Sequence, residues 1–293
     1  MASRNPGVFA RVAVVTGASA GIGTEIALGL ARAGATVAVV GRNAERTHDV
    51  RVRIENAGGK ADAFIADLAL LANVRHLAAE LVDRYPHIDI LVNNAGTAIG
   101  RRVVTHDGFE TTFAVNHLAP FLLTHLLLPR LQAPPRARIV TIASGAHWRG
   151  RLDLDDLHRA KNYSAWEAYS QSKLANVLFT RALAKELRGS TVTATCCHPG
   201  VAATDIWREG PGAWFYAPLL RLFMQTPARC ADTPVWLATA PEVEGQSGGY
   251  YKRRQLAPTS AAAQDDALAQ RLWTLSAALC GPHKPADSAR IRP

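Results

Sequence analysis

Short apolar runs alternate with amphipathic helical segments between residues 12 and 200, and a glycine-rich turn stands where the first run meets the first helix. These two observations predict an α/β fold: a doubly wound parallel sheet flanked by helices on both faces. Strands buried on both sides read as continuous Val/Ile/Leu runs, as these do. Composition agrees. Of 293 residues, 48% are apolar and 19% charged, against about 25% charged in an average domain. A chain of this length closes one large core without disulfide or metal staples. Disorder, collagen and coiled coil are excluded on the same numbers.

The elements follow in order. VAVVTG (12–17) is the first strand, and a helix runs from Ile22 to Gly34 behind it. TVAVVG (36–41) precedes a helix over 44–58, and KADAFIADL (60–68) a helix near 70–85. IDILVNNAG (88–96) leads into a long helix over about 108–131, with RIVTIAS (138–144) after it. A helix over about 165–189 comes before TVTATCCHPG (191–200). Beyond Gly200 the rhythm changes, and residues 204–227 carry Trp207, Trp214, Phe215, Tyr216 and Phe223. A helix over about 228–239, a short strand at GGYYK (248–252) and a last helix near 264–280 complete one domain over 1–281, with 282–293 read as a flexible tail.

A membrane-spanning helix needs about 20 largely apolar residues. The greasiest stretches here, Ala119–Pro129 and Ala213–Met224, are shorter and hold His125 and Arg221, so no transmembrane anchor is expected. The first residues lack the apolar core of a secretory signal. Cys196, Cys197, Cys230 and Cys280 show no CxxC spacing, and adjacent Cys196 and Cys197 in a strand point to opposite faces. They read as buried thiols in a reducing, cytoplasmic compartment. The net charge of +9 is scattered. With no lysine-rich run or aromatic–basic stripe it reads as a basic surface that draws in an anionic cofactor, not as a nucleic-acid site. His147 and His198 have no partners at metal-ligand spacing and read as pocket or packing residues, so no metal is expected.

The first strand runs into Thr16-Gly17-Ala18-Ser19-Ala20-Gly21-Ile22-Gly23. Glycine lets the backbone turn tightly and approach a pyrophosphate, whose charge rests on the next helix N-terminus, the arrangement of a Rossmann-type sheet. The second strand ends at Gly41-Arg42 with no acidic residue beside it. An arginine there meets the 2′-phosphate of NADP, or is simply a solvated helix-start residue; on this reading NADP(H) is favoured over NAD(H). Asp67-Leu68 closes the third strand, where the carboxylate faces an adenine amine or caps a helix. Tyr169 and Lys173 are four residues apart, hence on one helix face. A free phenol has a pKa near 10, too high for acid–base work at neutrality. Two charges about 4 Å apart at an effective dielectric near 20 interact by about 4 kcal/mol. That converts to roughly three pKa units, so a lysine can in principle make the tyrosine useful.

TGASAGIG (16–23), NNAG (93–96), Asn116 in FAVNHLAPF, Ser144 in IVTIAS, YSQSK (169–173) and HPG (198–200) occur in one order. Together they resemble the short-chain dehydrogenase/reductase superfamily over nearly the whole chain. DGFETTFAVNHLAPFLLTHLLLPRL, RIVTIASGAH, SKLANVLFT and RRLWTLS resemble its retinol dehydrogenase-like branch, which includes relatives of protochlorophyllide reductase. The branch's membrane-anchoring N-terminal segment is not seen here. The resemblance implies that Tyr169 exchanges a proton with the substrate oxygen while hydride moves to or from the nicotinamide. Lys173 lowers its pKa and holds the nicotinamide ribose. Ser144 orients the substrate oxygen, and Asn116 holds a water linking Lys173 to solvent. Gly17, Ser19, Ala20, Gly21, Ile22 and Gly23 line the phosphate cradle. Asn94, Ala95 and Gly96 pack along the adenosine ribose, while Pro199, Gly200, Val201 and Thr204 shape the nicotinamide site. Ala20 departs from the polar or basic residue often found there.

The aromatic segment 204–227 coincides with the family's substrate lid. Trp207, Trp214 and Phe215, with Ser144, His147, Trp148 and Trp166 from the other side, suit a lipophilic or aromatic ketone, aldehyde or secondary alcohol; the segment serves equally as a packing or dimer contact. Leucines along 108–131 offer a homodimer or homotetramer face, and equally pack on the sheet. Two other readings stand beside the NADP-dependent oxidoreductase: a double-bond reductase on the same scaffold, and a non-catalytic dinucleotide sensor.

Overall fold

Residues 11–200 and 225–281 are described by the structure, a computed structural model. The apolar runs become strands β1 (Val12–Thr16), β2 (Thr36–Gly41), β3 (Lys60–Ile65), β4 (Ile90–Asn93), β5 (Ala137–Ile142), β6 (Val192–His198), β7 (Tyr250–Lys252) and β8 (Gln255–Leu256). The helices are α1 (Gly21–Arg32), α2 (Ala44–Asn56), α3 (Leu71–Arg84), α4 (Thr111–Leu131), α5 (Ala165–Glu186), α6 (Pro227–Thr239), α7 (Ala261–Gln264) and α8 (Asp266–Cys280). One sheet results, in the order β3-β2-β1-β4-β5-β6-β7-β8, parallel throughout except for the β7–β8 hairpin.

The period-2 alternation of a strand sorts side chains into two cores. Val12 and Val14 of β1 join one with Leu77 of α3, Leu122 of α4, Leu178 of α5 and Leu272 of α8. Ala13 and Val15 join the other with Ile26 of α1, Ile54 of α2 and Leu237 of α6. The expected doubly wound fold is therefore present, and Cys196 and Cys197 fall on opposite faces, both buried and free. The strand order reverses between β1 and β4, so a crevice opens where their C-terminal ends diverge.

Several features differ from the sequence reading. The hairpin strand β8 was not foreseen; its turn places Arg253 and Arg254 at φ of 54° and 61°, a geometry a two-residue hairpin loop demands but arginine does not advertise. A 3₁₀ turn at Gly145–Arg149 follows β5, an element the sequence reading did not assign. Within α4 one π turn covers Ala114–Leu118, a widening common at functional sites. Its leucines 122, 123, 127 and 131 are core residues. By length and composition alone α4 could cross a bilayer, but 72% of its apolar window is buried in the fold. The lid over 204–227 lies outside the described residues except at its last three positions, and the tail over 282–293 lies wholly outside them.

Candidate active site

The crevice is built around the turn after β1. Gly17 and Gly21 hold φ of 65° and 59°, which only glycine adopts without strain. Close approach is the second requirement: a Cβ on Gly17 would sit 2.7 Å from the Ala95 Cα, and one on Gly23 2.1 Å from the Gly17 carbonyl oxygen. Helix α1 starts behind Ala20, whose side chain offers no cap. The first backbone N–H groups of α1 are thus left to an anion, and the helix dipole favours one there.

The residues after β4 are tied to this turn. Thr16 Oγ1 accepts from the backbone N–H groups of Asn94 and Ala95 at 3.0 and 3.1 Å, and Asn94 Nδ2 donates to the Thr16 and Gly17 carbonyls at 2.8 and 3.2 Å. The Asn94 amide thus braces the glycine turn. Sequence reasoning passed over Thr16, whose one signal is its place before the glycine.

At the end of β2, Gly41 leaves room for Ser19, whose Cβ would lie 2.7 Å from a Cβ at that position. Arg42 and Arg46 are exposed beside it. A groove of about 380 Å³ runs from here between α1 and α2, with Ser19, Ala20, Gly21, Arg46 and Arg53 on its walls. Asp67 is half-buried and accepts from the Ala69 N–H at 3.1 Å in the turn ahead of α3, whose N-cap is Leu70, while Leu68 is buried.

Ser144, Tyr169, Lys173 and Asn116 converge farther along the same sheet edge. Ser144 shares a side-chain hydrogen bond with Tyr169 and also accepts from the Ala146 N–H at 3.1 Å. Lys173 is 3% exposed; its Nζ lies 5.5 Å from the Tyr169 ring centre and donates to the Ile142 carbonyl at 2.9 Å. Asn116 Oδ1 accepts from the Thr97 N–H at 2.7 Å, and its Nδ2 donates to the Thr97 carbonyl and Ser172 Oγ, both at 2.9 Å. Gly96 borders both groups: a Cβ there would lie 3.5 Å from Asn116 Oδ1 and from Lys173 Nζ.

Two expectations are corrected. On charge alone Lys173 should depress Tyr169; here burial raises the phenol above its ordinary value, and the Ser144 hydrogen bond is what pulls it down. Burial also lowers Lys173, to about 8. Desolvation is the largest influence on both groups and acts on each in the direction of neutrality. Second, His147 does not line a substrate space. It is fully buried, with Nδ1 donating to the Ser144 carbonyl at 2.7 Å and Nε2 accepting from the Ser260 N–H at 3.3 Å. It is a neutral brace beneath Ser144, its pKa lowered by burial.

His198 accepts from the Gly145 N–H at 3.2 Å and is lowered to about 4, chiefly by burial. Trp148 and Trp166 are 54% and 49% exposed, with the Trp166 ring 6.4 Å from Tyr169. Pro199 and Gly200 follow β6, Gly200 at φ 116° against Gln225 and Cys230. Val201, Thr204, Trp207, Trp214 and Phe215 lie outside the described residues. Among the described residues, no group of three or more His, Cys, Asp or Glu is arranged to hold a metal.

A glycine turn beneath an uncapped helix, beside a hydroxyl pair with a buried lysine, defines an oxidoreductase of alcohol and carbonyl groups that binds an NAD(P) dinucleotide. The family model described as short chain dehydrogenase matches residues 11–211, and the chain belongs to that family, in its retinol dehydrogenase-like branch. A protein of Streptomyces sp. (strain C5) bearing the name of a daunorubicin C-13 ketoreductase, DnrU, is 43% identical over 286 residues, covering 97% of this chain and 96% of that one. Retinol dehydrogenase 13 of Homo sapiens is 39% identical over 292 residues, covering 97% and 88%. The crystal structure of a metagenomic short-chain oxidoreductase in complex with NADP superposes with a TM-score of 0.61 at 28% identity, covering 80% of this chain and 92% of that one.

Proposed function

We propose that the protein is an NADP(H)-dependent oxidoreductase that interconverts a ketone or aldehyde and the corresponding alcohol on a lipophilic or aromatic small molecule, with Tyr169 as acid/base. The observation that carries this reading is the hydrogen-bonded Ser144–Tyr169 pair, set with Lys173 beside Gly96 at the sheet edge that also carries the glycine turn. The cradle fits a dinucleotide: Gly17 and Gly23 leave space that any side chain would fill, and α1 presents unpaired N–H groups. Gly21, Ile22 and Gly23 would receive the pyrophosphate there, and Arg42, Arg46 and Ser19 a 2′-phosphate. When bound, the cofactor supplies or accepts the hydride.

The remaining work falls to the chain. Ser144 Oγ and Tyr169 Oη aim two hydroxyls at one substrate oxygen, fixing its orientation. In reduction Tyr169 gives its proton to that oxygen as negative charge develops on it; in oxidation its phenolate takes the proton back. Lys173 offsets the phenolate charge, and Asn116 holds the Thr97 loop and Ser172 around it. Trp148 and Trp166 give the mouth an apolar rim. We place the protein in the cytoplasm on its free, buried thiols.

The test is turnover of apolar aldehydes and ketones with NADPH and then NADH, followed at 340 nm for the wild type and Tyr169→Phe, with product analysis. NADPH-dependent alcohol formation that is lost in the variant supports the reading. A product reduced at a carbon–carbon double bond, or nucleotide binding without turnover of any carbonyl, rejects it.

A further inference from the structure

We infer that Asn176 is a positioning residue for Lys173, acting through a carbonyl the two share and braced from behind by His117 and Ser276. The inference rests on the proposed acid/base role of Tyr169 and Lys173. Tyr169, Lys173 and Asn176 stand at i, i+4 and i+7 on α5, one face of the helix. The Ile142 carbonyl, two residues before Ser144 at the end of β5, receives Lys173 Nζ at 2.9 Å and Asn176 Nδ2 at 3.3 Å. A carbonyl has two lone pairs, and both are taken by donors from this helix. The same peptide segment therefore carries Ser144 and registers α5 against it. Asn176 fixes the direction in which the carbonyl meets the ammonium.

The other end of the amide explains why a polar residue sits so deep. Asn176 is 2% exposed and His117 1%. Asn176 Oδ1 and His117 Nδ1 are both buried with no hydrogen-bond partner, and the Asn176 amide raises the basicity of the imidazole against the effect of burial. His117 Nε2 meets Ser276 Oγ of α8 at 2.8 Å. Burial holds His117 neutral, at about 3. The line Ser276–His117–Asn176–Ile142 thus spans α8, α4, α5 and β5 and ends on Lys173. On the opposite side Asn116 reaches α5 through Ser172, so the lysine is bracketed by two amides. The titratable groups facing Lys173 are Tyr169 on its own helix and Cys197 on β6.

The experiment is an NMR titration of the full-length protein with ¹³Cε-labelled lysine, with the Lys173 signal assigned by its loss in Lys173→Met. Wild type, Asn176→Leu and Ser276→Ala are compared. Without its aligned acceptor the ammonium is less well held, so the Lys173 midpoint falls by about half a pH unit or more in Asn176→Leu. Ser276→Ala moves it the same way by less, while the other lysines stay put. In turnover, kcat falls about tenfold and KM for nucleotide changes little. A Lys173 midpoint unchanged in folded Asn176→Leu overturns the inference, and if that variant does not fold, an unchanged midpoint in Ser276→Ala does so. Failure of the functional reading looks different: turnover that survives Tyr169→Phe, whatever Lys173 titrates at.

Discussion

The Lys173 ammonium lies 5.5 Å from the centre of the Tyr169 ring while its hydrogen bond goes to the Ile142 carbonyl. Lysine and tyrosine are thus neighbours held by separate partners: Tyr169 by Ser144, Lys173 by the strand that carries Ser144. Their coupling is through space, and it is set by how firmly each is anchored.

Lys173→Met removes the charge that offsets a Tyr169 phenolate. At a separation of about 5–6 Å and an effective dielectric near 20, a unit charge is worth about 3 kcal/mol, or roughly two pKa units. In alcohol oxidation, which needs the phenolate, the acidic limb of the kcat profile should move up by as much as that. The check is the pH profile of Lys173→Met against wild type; a limb that stays in place would deny Lys173 its electrostatic role.

Gly23→Ala places a methyl 2.1 Å from the Gly17 carbonyl oxygen, and backbone must move to accept it. Overpacking of this kind costs about 1–3 kcal/mol. Urea unfolding should show that loss, and dinucleotide affinity should fall by more than the stability change because the cradle itself is displaced. Gly34→Ala is a useful contrast, since no atom lies within 4 Å of its Cβ position and its cost comes from its φ of 86° alone; affinity should be retained.

Arg42→Ala and Arg46→Ala separate the two cofactors. A charge-assisted hydrogen bond to phosphate is worth about 1.5–3 kcal/mol, so each variant should weaken NADPH by roughly 10–100-fold and leave NADH nearly unchanged. Fluorescence titration with both nucleotides decides it. Equal losses for both would assign the arginines to general attraction, not to the 2′-phosphate.

Acid should destabilise the protein well before its carboxylates titrate. Burial lowers His117 to about 3 and His198 to about 4, against about 6.5 in an unfolded chain. Between those values the unfolded state binds more protons than the folded one, so stability falls as pH drops below about 6.5 and levels off for these groups near 3–4. The urea midpoint should decrease steadily from pH 7.5 to 4.5, and the slope should be shallower in His117→Gln.

Sequence alone was enough for the architecture, and it singled out Asn116, Ser144, Tyr169 and Lys173, which the fold brings to one edge of the sheet. Continuous apolar runs betray a sheet covered on both faces, and the turn at 16–23 announces its glycine cradle because positive φ and close backbone approach admit little else. The four-residue step from Tyr169 to Lys173 is local and survives folding unchanged. What depends on long-range placement was decided by tertiary structure. His147, adjacent in sequence to the exposed Trp148, is buried with both ring nitrogens on backbone, and spacing cannot distinguish the two. Asn176 looks like an ordinary helix residue until the Ile142 carbonyl is seen to serve it and Lys173 together. The sign of the Tyr169 shift is the clearest case. Charge and spacing predict a depressed phenol, but the balance between attraction and desolvation depends on how much water the fold removes from both groups, and only the packed chain sets that.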